Sequence, residues 1–292
     1  MGHHYVSRCQ IRNFFNDEEG KIYIYNKVFN KYRYYQGVGS IFSEDGSNTR
    51  IVDDLPDNSS LEKDLKISYE DNFDENFQVI VNSICNKTIT SEVQESVIEL
   101  AKYGIAGEIR IPEEKRKQKE LIADALFNQI LPGAIDSLKT ELEALKTRVE
   151  RTKYLNSLNY SDFADTVFEK MRGINFVLYV IKCDQFFLFP DRPSITRRDR
   201  INDYYNPDIK EISMVGIPLS SKIYLHSESK KLRVVPDRIV ELTTADIPKI
   251  EKINFCLYSQ AIERVSCESE NFLKNFISNI DRIKYSLSLM SD

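Results

Sequence analysis

Apolar and polar residues alternate along "KIYIYNKVFNKYRYYQGVGSIF" (21–42), and Ile22 and Ile24, then Tyr32 and Tyr34, predict two short strands. The turn-rich "SEDGSNTRIVDDLPDNSS" that follows predicts a surface loop. Leu61, Leu65, Tyr69, Phe73, Phe77 and Ile80 then recur at helical spacing, with Ser60 as the expected cap and an end near Asn86. A second helix is expected from Thr90 or Ser91, carrying Val93, Val97, Leu100 and Ile105. Pro112 suits the first turn of a third, and Pro132-Gly133 interrupts it. Ile135, Leu138, Leu142, Leu145 and Val149 are spaced 3, 4, 3, 4, a heptad seam of about two repeats that favours packing within the chain over a free coiled coil. "YSDFADTVFEKMRG" reads as a short helix capped by Ser161 and stopped by Gly173.

Beyond residue 173 the pattern changes. "INFVLYVIKCDQFFLFP" is rich in strand formers, with Lys182-Cys183-Asp184 as the expected hairpin turn. "ISMVGIPLSSKIYLHS" and "KLRVVPD" predict two or three more strands, and residues 245–264 and 270–287 read as helices. Strands come in clusters with no repeating βα unit, so the expected class is α+β: a helical middle segment packed on a mostly antiparallel β-sheet. No low-complexity linker divides the chain, so residues 1–292 are expected to form a single domain, with a helical middle at about 60–172, a β-rich part at about 174–236 and C-terminal helices at about 245–287.

The 41% hydrophobic content supplies a core and excludes a disordered chain. A net charge of −5 speaks against a broadly basic nucleic-acid surface while leaving room for a local basic patch. Five cysteines without C-x-x-C spacing suggest neither a disulfide framework nor a thiolate zinc site, and buried free thiols are expected. With no signal-like start and no run of 18 apolar residues, no membrane span and a cytoplasmic location are expected.

No phosphate loop, dinucleotide fingerprint, H-E-x-x-H or G-x-S-x-G occurs, and the residues name no cofactor and no metal set. Asp191 with "ESK" at Glu228–Lys230 imitates a metal-dependent nuclease, but "SESKK" reads as a solvated hairpin between strands. In "DRPSITRRDR", Arg192, Arg197, Arg198 and Arg200 interleave with Asp191, Asp199 and then Asp203, which predicts a self-neutralising surface loop ahead of a phosphate grip.

"HYVSRCQIRNF" (4–14) resembles the H-Y-V-P-x-x-Y-L-R-N-F opening of the bacterial family catalogued as domain of unknown function 4238. "LEKDLKISYEDNF" is similar to its acidic helix, with Glu62 and Glu70, and "YGIAGEIRIPEEKR" to its Q-x-x-R-T-P-x-x-R segment, with Arg110, Pro112 and Arg116. "FFLFPDRPSI", "GIPLSSKIYL" and "INFCLYSQAIERV" resemble its F-I-T-S-D-N-P-V strand, its P-L-S-P strand pair and its terminal N-x(6)-A helix, with Asn254 and Ala261. Four positions depart from the pattern: Ser7 replaces a proline, Gly107 a glutamine, and in Pro190-Asp191-Arg192-Pro193, which stands for Ser-Asp-Asn-Pro, Pro190 and Arg192 differ. His4 falls inside the matching segment, whereas His3 fits either chemistry or a cloning remnant.

The resemblance implies that His4, Arg12, Asn13, Glu70, Arg110, Arg116, Asp191 and Asn254 occupy motif positions. If they converge, His4 and Asp191 would share a proton as catalytic base and orienter. Arg12, Asn13, Arg110, Arg116 and Asn254 would bind substrate. The bland reading gives each a local partner: an Asx-turn for Asp191, ion pairs to Glu62 or Glu70 for the arginines, and backbone for Asn254. The functional expectation is a hydrolase or nuclease-like effector acting on a phosphate-bearing substrate, nucleic acid or nucleotide, with phage defence as its setting. The alternative is a non-catalytic interaction or regulatory module, a homodimer through the 135–149 helix.

Overall fold

The computed structural model describes residues 2–52, 55–156, 159–200 and 210–289. Its larger sheet has five strands in the order Arg238–Leu242, Ile174–Ile181, Ile223–Ser229, Lys210–Ser220, Ile195–Arg200, antiparallel except for the first pair. Ile174–Ile181, apolar but for Asn175, is buried almost throughout because both faces of this sheet are covered. On one face lie the helices Phe73–Asn86, Ser91–Arg110 and Tyr160–Lys170, whose Ile80, Val97, Leu100 and Ala164 share a core with Leu178, Val215, Ile217 and Leu225. Gly104 permits this approach, since a Cβ there would lie 2.8 Å from Val215 and Ile217. Toward the other face, Ile250 and Leu257 of the helix Ile247–Gln260 join Ile181, Tyr224 and Leu242.

A second sheet runs Lys31–Tyr35, Ile22–Asn26, Arg264–Cys267, Phe189–Pro190, all antiparallel. Tyr23, Tyr25, Val265 and Cys267 meet the C-terminal helices through Leu273 and Phe276. Ile22 and Ile24 face a third core of Tyr5, Val6, Ile11, Phe14 and Phe42, where Phe14 stacks on Phe189 at 4.3 Å. The chain is thus α+β, with helices over antiparallel-dominated sheets.

Several local expectations change. "DRPSITRRDR" is not a loop: Ile195–Arg200 is an edge strand, its arginines paired as Arg197–Asp199 (2.8 Å), Arg197–Glu228 (3.0 Å) and Arg198–Glu108 (3.0 Å). Asp203 lies outside the described residues. Lys182-Cys183-Asp184 turns no hairpin, because Ile174–Ile181 pairs with Ile223–Ser229 and Arg238–Leu242, and the chain beyond it crosses to the second sheet. The strand expected at "KLRVVPD" forms one step later, at Arg238–Leu242. Arg264, expected to end a helix, instead opens the strand Arg264–Cys267 that knits the second sheet. Two caps move to better acceptors: Asp57 Oδ1 takes the Ser59 and Ser60 N–H groups, and Asn159 Oδ1 those of Ser161 and Asp162. All five cysteines are free, but only Cys267 is fully buried and Cys85 is exposed.

Candidate active site

The chain's first strand, Gly2–His4, pairs antiparallel with Ser43–Asp45 and so draws the turn at Ser47-Asn48 over the N-terminus. Asn48 is the hub of what forms there. Its backbone N–H donates to His3 Nδ1 (3.0 Å), its Nδ2 donates to Glu62 Oε1 (2.7 Å), and its Oδ1 accepts from Lys115 Nζ (2.6 Å). Lys115 stands one turn inside the helix Pro112–Ala123 and is 2% exposed. Its ammonium also donates to the Ser47 carbonyl (2.8 Å) and lies 5.8 and 5.9 Å from the ring centroids of Tyr154 and Tyr160. Burial, and then the charge of Arg110, pulls its pKa down to about 7.

Arg110 ends the helix Ser91–Arg110 and is equally enclosed. Its guanidinium donates to Ser7 Oγ (3.2 Å), the His4 carbonyl (3.1 Å) and Glu70 Oε1 (3.3 Å), while Ser7 donates to the same Glu70 oxygen (2.6 Å). Ser7, standing where the resembling family has proline, thus contributes a hydrogen bond that proline lacks a donor to make.

The two histidines are both buried and differently wired. His4 Nδ1 faces the Ile41 carbonyl at 3.0 Å, so Nδ1 carries the proton and Nε2 is left with a lone pair. Burial, then the charge of Arg8, lowers the pKa of His4 and keeps the ring neutral. His3 Nδ1 accepts from Asn48, so a neutral His3 ring carries its hydrogen on Nε2. Both Nε2 atoms are buried without a hydrogen-bond partner, as are Arg110 Nε, Ser47 Oγ and Asn156 Oδ1. Orphaned buried polar atoms are uncommon in folded proteins, and each of these five belongs to a residue linked by hydrogen bonds or by charge, directly or through Ser47, to Lys115, Asn48 or Arg110. A cleft of about 640 Å³, lined by Arg50, Asp64, Tyr69, Tyr160 and Asp162 among others, abuts the same Tyr160 against which Lys115 rests.

Arg110 and Glu70 therefore meet, His4 joins them through its backbone carbonyl with its ring turned to Ile41, and Arg116 lies on the rim, close enough to Tyr154 to work against the rise that burial imposes on its phenol. The remaining site residues stand elsewhere. Asp191, expected to share a proton with His4, instead takes the backbone N–H groups of Ile262 (2.7 Å), Glu263 (2.8 Å) and Arg264 (3.0 Å). Its carboxylate is spent on the turn into the strand Arg264–Cys267, and no hydrogen bond joins it to His4 among the described residues. Asn254 is equally committed, accepting from Leu188 N–H and donating to the Phe186 carbonyl, both at 2.8 Å. Asn13 donates to the Leu219 carbonyl at 3.0 Å, and Arg12 is exposed. Glu228 is not on a solvated hairpin: it is buried on the strand Ile223–Ser229, between Arg197 and Arg233. Among the described residues no three His, Cys, Asp or Glu side chains are disposed to hold a metal ion, and no helix is long and apolar enough to cross a membrane.

The family model for proteins of unknown function designated DUF4238 matches residues 2–271. The chain belongs to the DUF4238 family. No curated protein and no solved structure matches it. The matched span of this DUF4238 member takes in every residue of the Lys115 cluster. Lys115, Asn48 and His3 were not among the expected site residues. One signal did point to Lys115: it lies four residues after the buried Ile111, whose carbonyl accepts its N–H, on the inward side of a helix otherwise rich in exposed charge.

Proposed function

We propose that this DUF4238 protein is a hydrolase-type enzyme that acts on a phosphate-bearing substrate at the Lys115 cluster. The observation that carries the reading is an enclosed amine with a pKa of about 7, linked through Asn48 to His3 and neighboured by Arg110, which holds the His4 carbonyl; the Nε2 atoms of both histidines have no partner. A group that titrates near neutrality can both take and give a proton during turnover, and a low-dielectric surrounding magnifies its effect on developing charge. In this scheme His4 Nε2 offers a lone pair as base, and the Lys115 ammonium and the Arg110 guanidinium favour a negatively charged group nearby. Nuclease-like cleavage is the form of this chemistry that suits an effector in phage defence.

The test is an assay of wild type and Lys115→Gln against p-nitrophenyl phosphate, its bis ester, single-stranded RNA and single-stranded DNA. Turnover of at least one, falling about 100-fold or more in kcat in a variant that still unfolds cooperatively, is expected. No turnover by a folded wild-type protein, or equal rates in the variant, overturns the reading. Loss of phage protection in the same variant, read by plaque counts, tests the defence setting.

A second reading, a homodimer, is favoured by the helix Asp136–Arg151. Leu142 and Val149 are buried, but Ile135, just before it, and Leu138 and Leu145 are exposed. Its first half (Asp136, Lys139, Glu141, Glu143) carries −2 and its second (Lys146, Arg148, Glu150, Arg151) +2, a pattern that two antiparallel copies satisfy mutually. Light scattering distinguishes dimer from monomer, and a monomer at high protein concentration removes this reading.

A further inference from the structure

The hairpin Ile22–Asn26 and Lys31–Tyr35 ends the second sheet, and strand alternation sends Lys31, Arg33 and Tyr35 to the face opposite Tyr32 and Tyr34. On that face the register lines up Arg264, Asn26 and Lys31 across three strands, with Ile24 and Arg33 in the row beside them. These residues, with Phe29 from the hairpin turn and Glu263, line a concavity of about 380 Å³. Three cations there face one carboxylate. Glu263 is 4.0 Å from Arg264 Nε, and neither Lys31 nor Arg33 has a carboxylate partner among the described residues. Charged side chains on an edge strand also deter edge-to-edge pairing. That role accounts for Lys31 and Arg33. It does not account for the concavity, nor for Arg264, which comes from an inner strand and whose Nε is buried without a hydrogen-bond partner. In a chain of net charge −5, a local cationic hollow flanked by aromatic rings has the chemistry to suit an anion with a flat apolar part.

We propose that this hollow binds one nucleotide unit, its phosphate held by Lys31, Arg33 and Arg264 and its base stacked on Phe29 or Tyr35. The volume falls in the range of about 300–1,000 Å³ typical of small-ligand sites. Stacking on an aromatic ring and charge on the backbone are the terms by which single strands are held without sequence preference. The same chemistry is presented by a free nucleotide and by a nucleotide within a strand. The proposal does not depend on catalysis at Lys115.

Fluorescence anisotropy of the full chain, with fluorescein-labelled AMP in one arm and a labelled deoxythymidine decamer in the other, tests it. Binding is expected in at least one arm. Equal affinity for both ligands identifies a free-nucleotide site, and binding of the decamer alone identifies a single strand. The double variant Lys31→Glu, Arg33→Glu should weaken binding at least about tenfold, and for the decamer lower the salt dependence of log K by about 0.7 per lost phosphate contact. Phe29→Ala, at an exposed turn, should also weaken it while leaving the melting temperature unchanged. No binding in either arm, or wild-type affinity in the double variant, overturns the proposal.

Discussion

Replacing Lys115 with methionine keeps the length and apolar stem of the side chain and removes its titration. In the unfolded chain a lysine holds its proton to about pH 10.5, whereas in the folded protein burial brings the pKa to about 7. Between those values the unfolded state binds more protons than the native state, so wild-type stability gains as pH rises and the charged form is relieved of its burial. The gain is about 1.36 kcal/mol per pH unit, or ~5 kcal/mol across the whole interval. Lys115→Met has no such term, and most other titrations cancel between the two proteins. Urea unfolding of both at about pH 6.5 and about pH 9.5 should therefore show the wild-type stability rising by roughly 3 kcal/mol relative to the variant. The variant should do best by comparison at the acid end. A difference that stays constant within about 0.5 kcal/mol would refute the reasoning. It would mean that the Ser47 carbonyl, Asn48 Oδ1 and the two tyrosine rings hold the ammonium charged throughout.

Two further outcomes bear on the scaffold. Asp191→Ala leaves the N–H groups of Ile262, Glu263 and Arg264 without their acceptor and should cost about 3–5 kcal/mol in chemical unfolding, with Asp191→Asn nearer 1–3; an alanine variant as stable as wild type would contradict the stapling role. Gly216→Ala puts a methyl where the Tyr224 hydroxyl sits and should cost about 1–3 kcal/mol, part of it restored by adding Tyr224→Phe; strict additivity in that double-mutant cycle would show that the two do not touch.

The sequence carried its long periodic elements openly. The helices from Ser91 and from Pro112, and the strand pair at Ile22–Asn26 and Lys31–Tyr35, follow from spacing and end signals alone. What it concealed was partnership. Arg264–Cys267 is a short strand following a helix, and only its neighbours, both distant in sequence, make it one. "ITRRDR" looks like a loop because an edge strand can face water with charge. The polar motif residues were legible as a set but not as a site. Asp191 and Asn254 look chemical on paper and turn out to hold backbone, whereas Lys115 sits in a charged run where only its spacing from Ile111 marks it as the ammonium that faces inward. His4, Arg110 and Glu70 form one cluster because the opening strand pairs with Ser43–Asp45, a pairing with no sequence signature of its own.

The central place of Arg264–Cys267 has a bearing on biosynthesis. The hairpin of Ile22–Asn26 and Lys31–Tyr35 cannot acquire its inner neighbour until translation has passed Cys267, so its unpaired margin waits while the whole stretch between them is made. A ribosome-bound nascent chain of this protein would keep that margin available to chaperones, and deletion of either the hairpin or Arg264–Cys267 would unravel the same sheet.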